Sequence, residues 1–465
     1  MTPSSTAALA LAILMLVAAP GAAAAQATTA LPAFSACQPA TAPMLPEKWR
    51  AVGLMFPFLR QQLEVAEFVA DASVPAMRAT IQGLEYGAVD LLITDDQTYL
   101  LGGPADAPTC TAVGRKYAPP ARQWLSGSAV CDGEAAIATK NVQWWKTASP
   151  DGRTNWQWYT ADTRLPWRVM MADPSPEPPV IGDYGVTYFT TFAPLAETEL
   201  ARLRERCMAT AQPGPLAART AATARDLMTL ASDIGASERG KKIQALIPGL
   251  SRNGCAADRP PIWPQTFTMT AILSPVEFKW TPLPSVLFYD WQNAATLFAY
   301  LYKARSAPAE LEIVSVLKNG VGYSVERIPN GKLVCAAKAP GVLRPDWMAH
   351  AGCECKAAIE GNSQLSPDET SQIRACPIKA EGLRTIWSWY TQSGRPILFA
   401  EAGATNRGLN IVDYHQWSPG ATMPAATFAV PELCTRAAEL GLPPVGHGLT
   451  GAAAFPCSDC HVTQR

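Results

Sequence analysis

The sequence predicts an α+β protein with two tandem antiparallel β-rich domains joined by a helical hairpin. Two observations lead to this fold class. A tryptophan-rich segment, NWQWYT at residues 155–160, recurs as IWSWYT at residues 386–391. Around both copies, short runs of alternating apolar and polar residues are separated by Pro, Gly and Asp, a pattern typical of strands with one buried face.

Further features repeat in the same order around these two segments. Alternating runs broken by a polar turn, which predict β-hairpins, come before Cys110 and before Cys335. EVAEFVADASVPAMRATI resembles SVLFYDWQNAATLFAYLY, and DYGVTYFTTFAPL resembles GLNIVDYHQWSPG. Each copy closes near a cysteine, Cys207 or Cys434. The shared order indicates an internal duplication; the alternative is convergence of two β-rich stretches on one Trp-x-Trp-Tyr-Thr pattern.

The connector between the two copies has helical periodicity. Leu and Ile recur roughly every three to four residues between Leu195 and Leu246, and Pro-Gly-Pro at residues 213–215 divides the stretch into two helices. The predicted organisation is a signal peptide at 1–25, a β-rich domain with the first connector helix at 40–210, a helical connector at 211–255, a second β-rich domain at 256–435 and a tail at 436–465.

The N-terminal segment predicts export. An apolar run from Ala7 to Ala19 precedes a Pro-Gly break and small residues, as in a secretory signal cleaved after Ala25. The run is short for a membrane span, so we expect a periplasmic or secreted mature chain without an integral membrane segment. All twelve cysteines follow the cleavage site, where an oxidising compartment favours disulfides. A net charge of −1 with few basic clusters argues against nucleic acid as a partner.

The exported, strand-rich organisation, with Trp- and Tyr-rich central strands and a late DYGVTYFTTFAPL-type pair, resembles the LolA/LolB-type lipoprotein-carrier superfamily. The resemblance covers both halves of the chain. It implies that each domain is an antiparallel half-barrel closed by helices, with an apolar concavity for acyl or other lipophilic groups. The implied fold is therefore α+β, with two tandem antiparallel β half-barrel domains joined by a helical hairpin. The many cysteines depart from the carriers, and no cargo-binding residue is carried over.

The tail contains Cys457-Ser-Asp-Cys460-His461, which has the spacing of a c-type haem attachment motif. The two thiols would add to the vinyl groups of one covalent haem c, and His461 would be the proximal iron ligand. Only four residues follow, so the haem would have to pack against the preceding domains. The alternatives are a structural disulfide between Cys457 and Cys460, and a thiol redox pair.

A sixth iron ligand would have to come from upstream of this motif. His447, in PPVGHGLTG, is nearest in sequence and has glycines beside it that permit close approach, so it is the predicted metal ligand opposite His461. The alternatives are His415, His350 and Met423.

The ten remaining cysteines are expected to form disulfides. Cys110 and Cys131 flank a short Pro/Gly segment and are expected to close one loop. The candidate partners of Cys335 are Cys353, Cys355 and Cys376, and spacing alone fixes no connectivity for Cys37, Cys207, Cys255 and Cys434. A metal site at Cys353-Glu-Cys355 is the lesser alternative, because C-x-C with one nearby histidine is incomplete for zinc.

Fourteen tryptophans suggest either a core or an apolar ligand cavity. Those at matching places in the two copies are Trp144, Trp145, Trp156, Trp158, Trp387 and Trp389. Because no acid–base pair or nucleophile motif stands out, no catalytic residue is predicted and enzymatic activity stays open.

These observations together predict an exported c-type haem-containing binding protein. Its expected role is electron transfer or redox-linked handling of a lipophilic or aromatic ligand, with a redox partner protein. One alternative is a disulfide-rich carrier of a lipophilic ligand without a cofactor, and the other is a haem-dependent oxidoreductase.

Overall fold

Most of the predicted strands form two large sheets in the computed structural model. The structure describes residues 37, 41–57, 63–83, 88–104, 107–113, 119–123, 125, 129–137, 140–148, 154–171, 185–210, 212–213, 246–247, 249–251, 255, 259–275, 282–302, 310–318, 321–327, 333–338, 344–360, 370–378, 384–403, 410–430 and 434. These residues give a β-rich α+β fold with few helices.

The first sheet has twelve strands in the order β12-β6-β5-β4-β3-β2-β1-β11-β10-β9-β8-β7. They are β1 (Lys48–Pro57), β2 (Glu64–Asp71), β3 (Ala76–Gly83), β4 (Ala88–Thr94), β5 (Thr98–Gly102), β6 (Thr109–Val113), β7 (Val130–Ile137), β8 (Lys140–Ala148), β9 (Thr154–Thr160), β10 (Pro166–Met171), β11 (Gly185–Pro194) and β12 (Gln212–Pro213). Neighbouring strands are antiparallel except for the parallel pair β12 and β6.

The second sheet also has twelve strands, in the order β13-β20-β21-β22-β23-β24-β14-β15-β16-β17-β18-β19. They are β13 (Leu250–Ser251), β14 (Thr266–Pro275), β15 (Leu283–Asp290), β16 (Ala295–Tyr302), β17 (Glu310–Lys318), β18 (Val321–Arg327), β19 (Leu333–Lys338), β20 (Glu354–Ile359), β21 (Ser371–Ile378), β22 (Arg384–Thr391), β23 (Pro396–Gly403) and β24 (Asn410–Pro419). Helical segments among the described residues include α1 (Leu200–Thr210), α2 (Trp347–His350) and a 3₁₀ helix (Ala425–Phe428).

The two sheets repeat one topology. When the two-residue strands β12 and β13 are left out, the first sheet runs from β6 at one edge to β7 at the other. The second sheet, read from β19 to β20, has its eleven strands in the corresponding order, so that β6 matches β19, β1 matches β14, β11 matches β24 and β7 matches β20. Each sheet also has a register shift at the same place, between Val52 and Gly53 of β1 and between Thr270 and Ala271 of β14. Bulges are specific features of a strand pair, so they fix the alignment of the halves. In this alignment Tyr188 of β11 matches Asp413 of β24.

The connector was predicted as a helical hairpin. Its first helix is present as α1, whose Leu200 and Cys207 are buried. The second predicted helix, from Leu216 to Leu246, falls almost wholly in residues 214–245, which lie outside the described residues.

Five disulfides link the ten described cysteines. Four of them form two matching pairs, one member in each half. Cys37–Cys131 in the first half corresponds to Cys255–Cys355 in the second, and Cys110–Cys207 corresponds to Cys335–Cys434. The fifth, Cys353–Cys376, lies in the second half and has no counterpart among the other four. Disulfides of this number are typical of oxidising compartments, so the pattern fits an extracytoplasmic protein.

The expected pairings of Cys110 and Cys335 are wrong. Cys110 lies on β6 and Cys131 lies on β7, at opposite ends of the first sheet, so their closeness in sequence brings no contact. Cys335 on β19 is likewise at the opposite end of the second sheet from its three candidate partners. Each cysteine instead pairs with one almost a hundred residues farther along the chain.

One apolar core lies between the two sheets. The first half contributes Phe56, Trp144, Trp156, Trp158 and Trp167, and the second contributes Ile373, Trp387, Trp389, Leu398 and Ile411. Phe56 lies edge-on to Trp387, with ring centroids 6.1 Å apart. The repeated Trp-x-Trp segments therefore form the surfaces through which the halves pack on each other.

Candidate functional site

A cleft of about 760 Å³ lies over the first sheet, beside α1. Its charged and polar lining is Arg50, Glu67, Arg78, Thr80, Gln82, Asp90, Glu199, Arg202 and Arg206, and its larger apolar lining is Val69, Leu101, Leu200, Leu203 and Leu246. Leu246 also packs against the core between the sheets. Small-molecule sites typically enclose roughly 300–1,000 Å³, so the cleft has the size of a ligand site.

The floor of the cleft is built by the alternation of side chains along four adjacent strands. Glu67 of β2 stands opposite Thr80 of β3, which stands opposite Asp90 of β4. Arg50 and Arg78 lie two residues along from positions in the same row, and alternate residues of a strand share one face. Charges that are far apart in sequence therefore form one continuous strip.

Two ion pairs hold this strip in a defined geometry. Arg50 Nε donates to Glu67 Oε1 at 2.5 Å. Arg78 makes two parallel bonds to Asp90, from Nε to Oδ1 at 2.9 Å and from Nη2 to Oδ2 at 2.6 Å, and Thr80 Oγ1 donates to the same Oδ1 at 3.2 Å. The bond to Asp90 raises the pKa of Arg78 above its ordinary value, so its guanidinium is charged at any working pH.

Helix α1 forms the wall of the cleft. Its sequence, LARLRERCMAT, is rich in strong helix formers. Leu200, Leu203 and Cys207 recur at helical spacing and pack on the end of the sheet near Tyr99 and Leu101. The disulfide between Cys207 and Cys110 of β6 holds the helix on this end of the sheet.

Polar contacts also fix α1 at its beginning and along its exposed side. Thr198 Oγ1 donates to Asp71 Oδ2 at 2.7 Å just before the helix begins. Arg204 Nη2 donates to Asp95 and Asp96 in the turn after β4, at 2.8 and 3.2 Å. The wall of the cleft is therefore positioned by covalent, apolar and charged contacts.

The second sheet has different residues at the positions that match this floor. Counted from the bulge, Thr268 stands at the place of Arg50, Val286 at that of Glu67, and Leu297 at that of Arg78. Val286 and Leu297 are buried in a cluster with Phe428 of the 3₁₀ helix. This face of the second sheet is therefore apolar and covered.

A buried ion pair crosses between the halves. Arg168 Nη1 donates to the Asp413 carboxylate and, at 2.8 Å, to the Tyr188 hydroxyl, which donates to Asp413 Oδ1 at 2.6 Å. Arg168 is fully buried, and its guanidinium carbon lies 3.7 Å from the centre of the Trp158 ring. Burial by itself would lower the pKa of Arg168, but the Asp413 charge holds it above the ordinary value. Burial also raises the pKa of Tyr188, so its hydroxyl stays protonated.

The structure places the tryptophans in packing rather than in the cleft. Trp144, Trp156, Trp158, Trp387 and Trp389 are at most 1% exposed and lie in the core between the sheets. Trp145 packs with Leu125 and Tyr159 elsewhere in the first half. Of the two expected roles, a core position accounts for all six.

The predicted haem residues Cys457, Cys460, His461 and His447 lie outside the described residues. The three alternative sixth ligands lie within the described residues, and each has a different environment. His350 is half exposed and lies 3.5 Å from Asp346. The His415 imidazole bonds the backbone of Ala136, and Met423 packs near Phe428.

The metal site suggested for Cys353 and Cys355 is not formed. Both cysteines are in disulfides, with Cys376 and Cys255 respectively. Among the described residues, no group of three or more His, Cys, Asp and Glu side chains is arranged to hold a metal ion. Within the same residues, no helix has the length and apolar character needed to cross a membrane.

Comparisons with known proteins assign no family. No family model matches the chain, and no curated protein matches its sequence. An uncharacterised conserved protein from Thermus thermophilus has 12% identity over 37% of this chain and 92% of its own, with a TM-score of 0.24. MucB has 15% identity over 63% of this chain and 88% of its own, with a TM-score of 0.21. A structure of MucB in complex with MucA(peri) gives 14% identity, coverage of 62% and 86%, and a TM-score of 0.20. Such low TM-scores define neither fold nor function for this chain.

Neither the cleft nor the inter-sheet ion pair was predicted from the sequence. The signal for the cleft was present, because Arg50, Glu67 and Arg78 are charged where the second copy has Thr268, Val286 and Leu297. Recognising it requires the register of four strands. The contact between Arg168 and Asp413 spans 245 residues, and no local pattern predicts it.

Proposed function

We propose that this protein is an exported, periplasmic or secreted binding protein that holds a lipophilic or aromatic small molecule in the cleft between α1 and strands β1–β4. The observation that carries the proposal is the cleft itself. It combines ligand-sized volume with an apolar wall and a few positioned polar groups, the usual composition of small-molecule sites. Because no nucleophile or acid–base pair was recognised in the sequence, a binding role is preferred to catalysis.

The proposal is tested by filling the cleft. Ala88 begins β4 and lines the cleft, so Ala88→Trp should reduce the affinity for an environment-sensitive apolar dye at least about tenfold. Ala209→Trp places the same bulk on the exposed end of α1, away from the cleft lining, and serves as the matched control. Native mass spectrometry of protein purified from the export compartment should reveal a bound apolar compound. If the wild-type protein binds no apolar compound in either experiment, the proposal fails.

The same proposal extends to the shape of each domain, as a half-barrel. On the face of β1–β4 opposite the cleft, apolar side chains are buried together with Val169 of β10 and Phe189 of β11. These strands are consecutive neighbours in one sheet. One face of a sheet buries its own side chains most readily when the sheet is curled, which supports the half-barrel interpretation.

A second proposed function rests on the tail sequence. One haem c would be attached at Cys457 and Cys460, with His461 as proximal and His447 as distal iron ligand, and it would supply one-electron chemistry for exchange with a redox partner protein. The support is the C-x-x-C-H motif in a chain with a predicted export signal.

The haem proposal has a direct spectroscopic test. Protein matured in an export compartment that attaches haem should keep its Soret band after acid–acetone extraction, because thioether bonds resist that treatment. Cys457→Ala with Cys460→Ala should abolish the band and leave the far-ultraviolet circular dichroism unchanged. His350→Ala is the control and should leave the spectrum as it is. A colourless wild-type protein from such a compartment would contradict the haem proposal, and the carrier function would be the one that remains.

A further inference from the structure

We propose that the cleft selects amphiphiles with a single negative charge, and that Arg78 is the residue that recognises the anionic head group. This inference rests on the proposed binding function and names the ligand class. Its basis is the arrangement of the charged strip, the net charge of the lining and the apolar wall beside it.

Arg78 is held ready for a second carboxylate. Asp90 occupies Nε and Nη2 of its guanidinium, at 2.9 and 2.6 Å, and Thr80 Oγ1 also donates to Asp90 Oδ1. Within the described part of the chain no hydrogen bond engages Nη1, and the Arg78 side chain is 39% exposed in the cleft. A guanidinium whose orientation is already fixed loses little freedom when it binds a planar anion.

The charges of the lining favour one negative charge on the ligand. Four arginines, at 50, 78, 202 and 206, face three acidic residues, at 67, 90 and 199, which leaves one positive charge. A monoanion neutralises this excess, whereas a dianion would leave the cleft negative and a cation would add to the repulsion.

The apolar part of the ligand has its own wall. Leu101, Leu200 and Leu203 lie together at the α1 side, and Leu246 lies toward the core between the sheets. Burying a hydrocarbon chain against these side chains is favourable by roughly 25 cal/mol for each Å² removed from water. The head group would then lie on the strip of β1–β4 and the chain along α1.

Stability alone does not explain the charged strip. Partly exposed ion pairs contribute little to folding, and the second sheet has the uncharged residues Thr268, Val286 and Leu297 at the positions of Arg50, Glu67 and Arg78. The charges are therefore best explained by contact with a ligand.

The test compares ligands that differ only in the head group. Binding of hexadecanoate, its uncharged methyl ester, hexadecyl phosphate and a hexadecyl ammonium compound is measured by dye displacement on the full chain. Hexadecanoate should bind about tenfold more tightly than the ester, and the ammonium compound should bind most weakly. Higher salt should weaken only the binding of the anions. Acetate alone should not displace the dye.

Variants assign the selectivity to Arg78. Arg78→Met should reduce the affinity for hexadecanoate about tenfold or more and leave the ester unchanged, while Arg78→Lys should give an intermediate loss. The double variant Arg78→Met with Asp90→Asn removes both charges of the ion pair. It separates the loss of the Arg78 charge from any folding defect caused by an unpaired Asp90 carboxylate. Arg122→Met is the matched control. Arg122 does not line the cleft, and its Nη1 lies 3.8 Å from Glu47 Oε2.

The outcomes separate the two proposals. If acid and ester bind equally, if hexadecyl phosphate binds more tightly than hexadecanoate, if acetate competes, or if Arg78→Met has no effect on hexadecanoate, the inference is overturned while the binding function stands. If no amphiphile and no dye binds the wild-type protein, the proposed function itself fails.

Discussion

Matching positions in the two halves of this molecule have opposite chemistry. Arg50, Glu67 and Arg78 form an open, charged floor in the first half. In the second half the same places are taken by Thr268 and by two apolar residues on which Phe428 packs. Buried apolar groups stabilise a fold in proportion to area, whereas partly exposed ion pairs contribute at most about 1 kcal/mol. The second half thus shows how these positions serve folding, and the first half shows a departure that suits a ligand.

The helical segments that cover the two matching sheet faces also differ: the one in the first half leaves a cleft open, and the one in the second half closes the face. In the first half the cover follows β11 and contains the disulfide-bonded Cys207; in the second it follows β24 and comes before the disulfide-bonded Cys434. In the first half the cover is the eleven-residue helix α1, whose Arg202 and Arg206 line the cleft. In the second it is the four-residue 3₁₀ helix, which places Phe428 on the sheet. A longer helix keeps a cleft beside it, whereas a short segment with one aromatic residue closes the face.

The largest expected effect comes from breaking the contact that joins the halves. Asp413→Ala leaves the buried Arg168 charge without its carboxylate, and it should lower the free energy of unfolding by roughly 3–5 kcal/mol. Denaturant titration followed by tryptophan fluorescence measures this loss. Arg168→Met with Asp413→Leu replaces both charges by apolar groups and should recover most of the stability. A loss below about 1 kcal/mol for Asp413→Ala would show that the pair does not join the halves.

The matched disulfides provide the next test. Cys110–Cys207 and Cys335–Cys434 close loops of nearly equal length, with separations of 97 and 99 residues. Replacing either pair by alanine should cost about 2–5 kcal/mol in the free energy of unfolding. The first replacement should also weaken dye binding in the cleft, because it releases α1, and the second should not. Equal loss of binding in both variants would contradict the assignment of the site to the first half.

The smallest effect concerns the bulge residues, Thr190 in the first half and His415 in the second. Thr190 Oγ1 donates to the Val52 carbonyl at 3.0 Å, whereas His415 bonds Ala136 of the other half. Burial lowers the pKa of His415 below its ordinary value, and the bond to Ala136 offsets part of that shift. The unfolded chain therefore binds more protons, so stability is complete above about pH 6.5 and decreases as the pH falls below it.

Urea titrations at several pH values check this effect. His415→Gln should make stability less dependent on pH on the acid side. Thr190→Val, at the bulge residue of the first half, changes no titratable group and should leave the dependence as in the wild type. An unchanged acid dependence in His415→Gln would show that His415 is not its source.

Much of the β-rich fold could be predicted from sequence, because alternation is a local property. The hairpin expected before Cys110 is present as β4 and β5, and the Trp-x-Trp segments lie on β9 and β22. Disulfide partners were predicted wrongly for Cys110 and Cys335, because closeness along the chain says nothing about strands at opposite ends of a sheet. The cleft depends on the register of β1–β4 and on the position of α1, which no single segment encodes.

One contact shows what is gained when two copies share a chain. Tyr188 and Asp413 occupy the same place in their respective halves and yet touch each other, at 2.6 Å. A symmetric dimer of one half would have to set identical side chains face to face there, and two aspartates would repel while two tyrosines would offer Arg168 no counter-charge. Covalent fusion lets one copy supply the proton donor and the other the acceptor. Separate production of either half would expose its tryptophan face and should yield insoluble material.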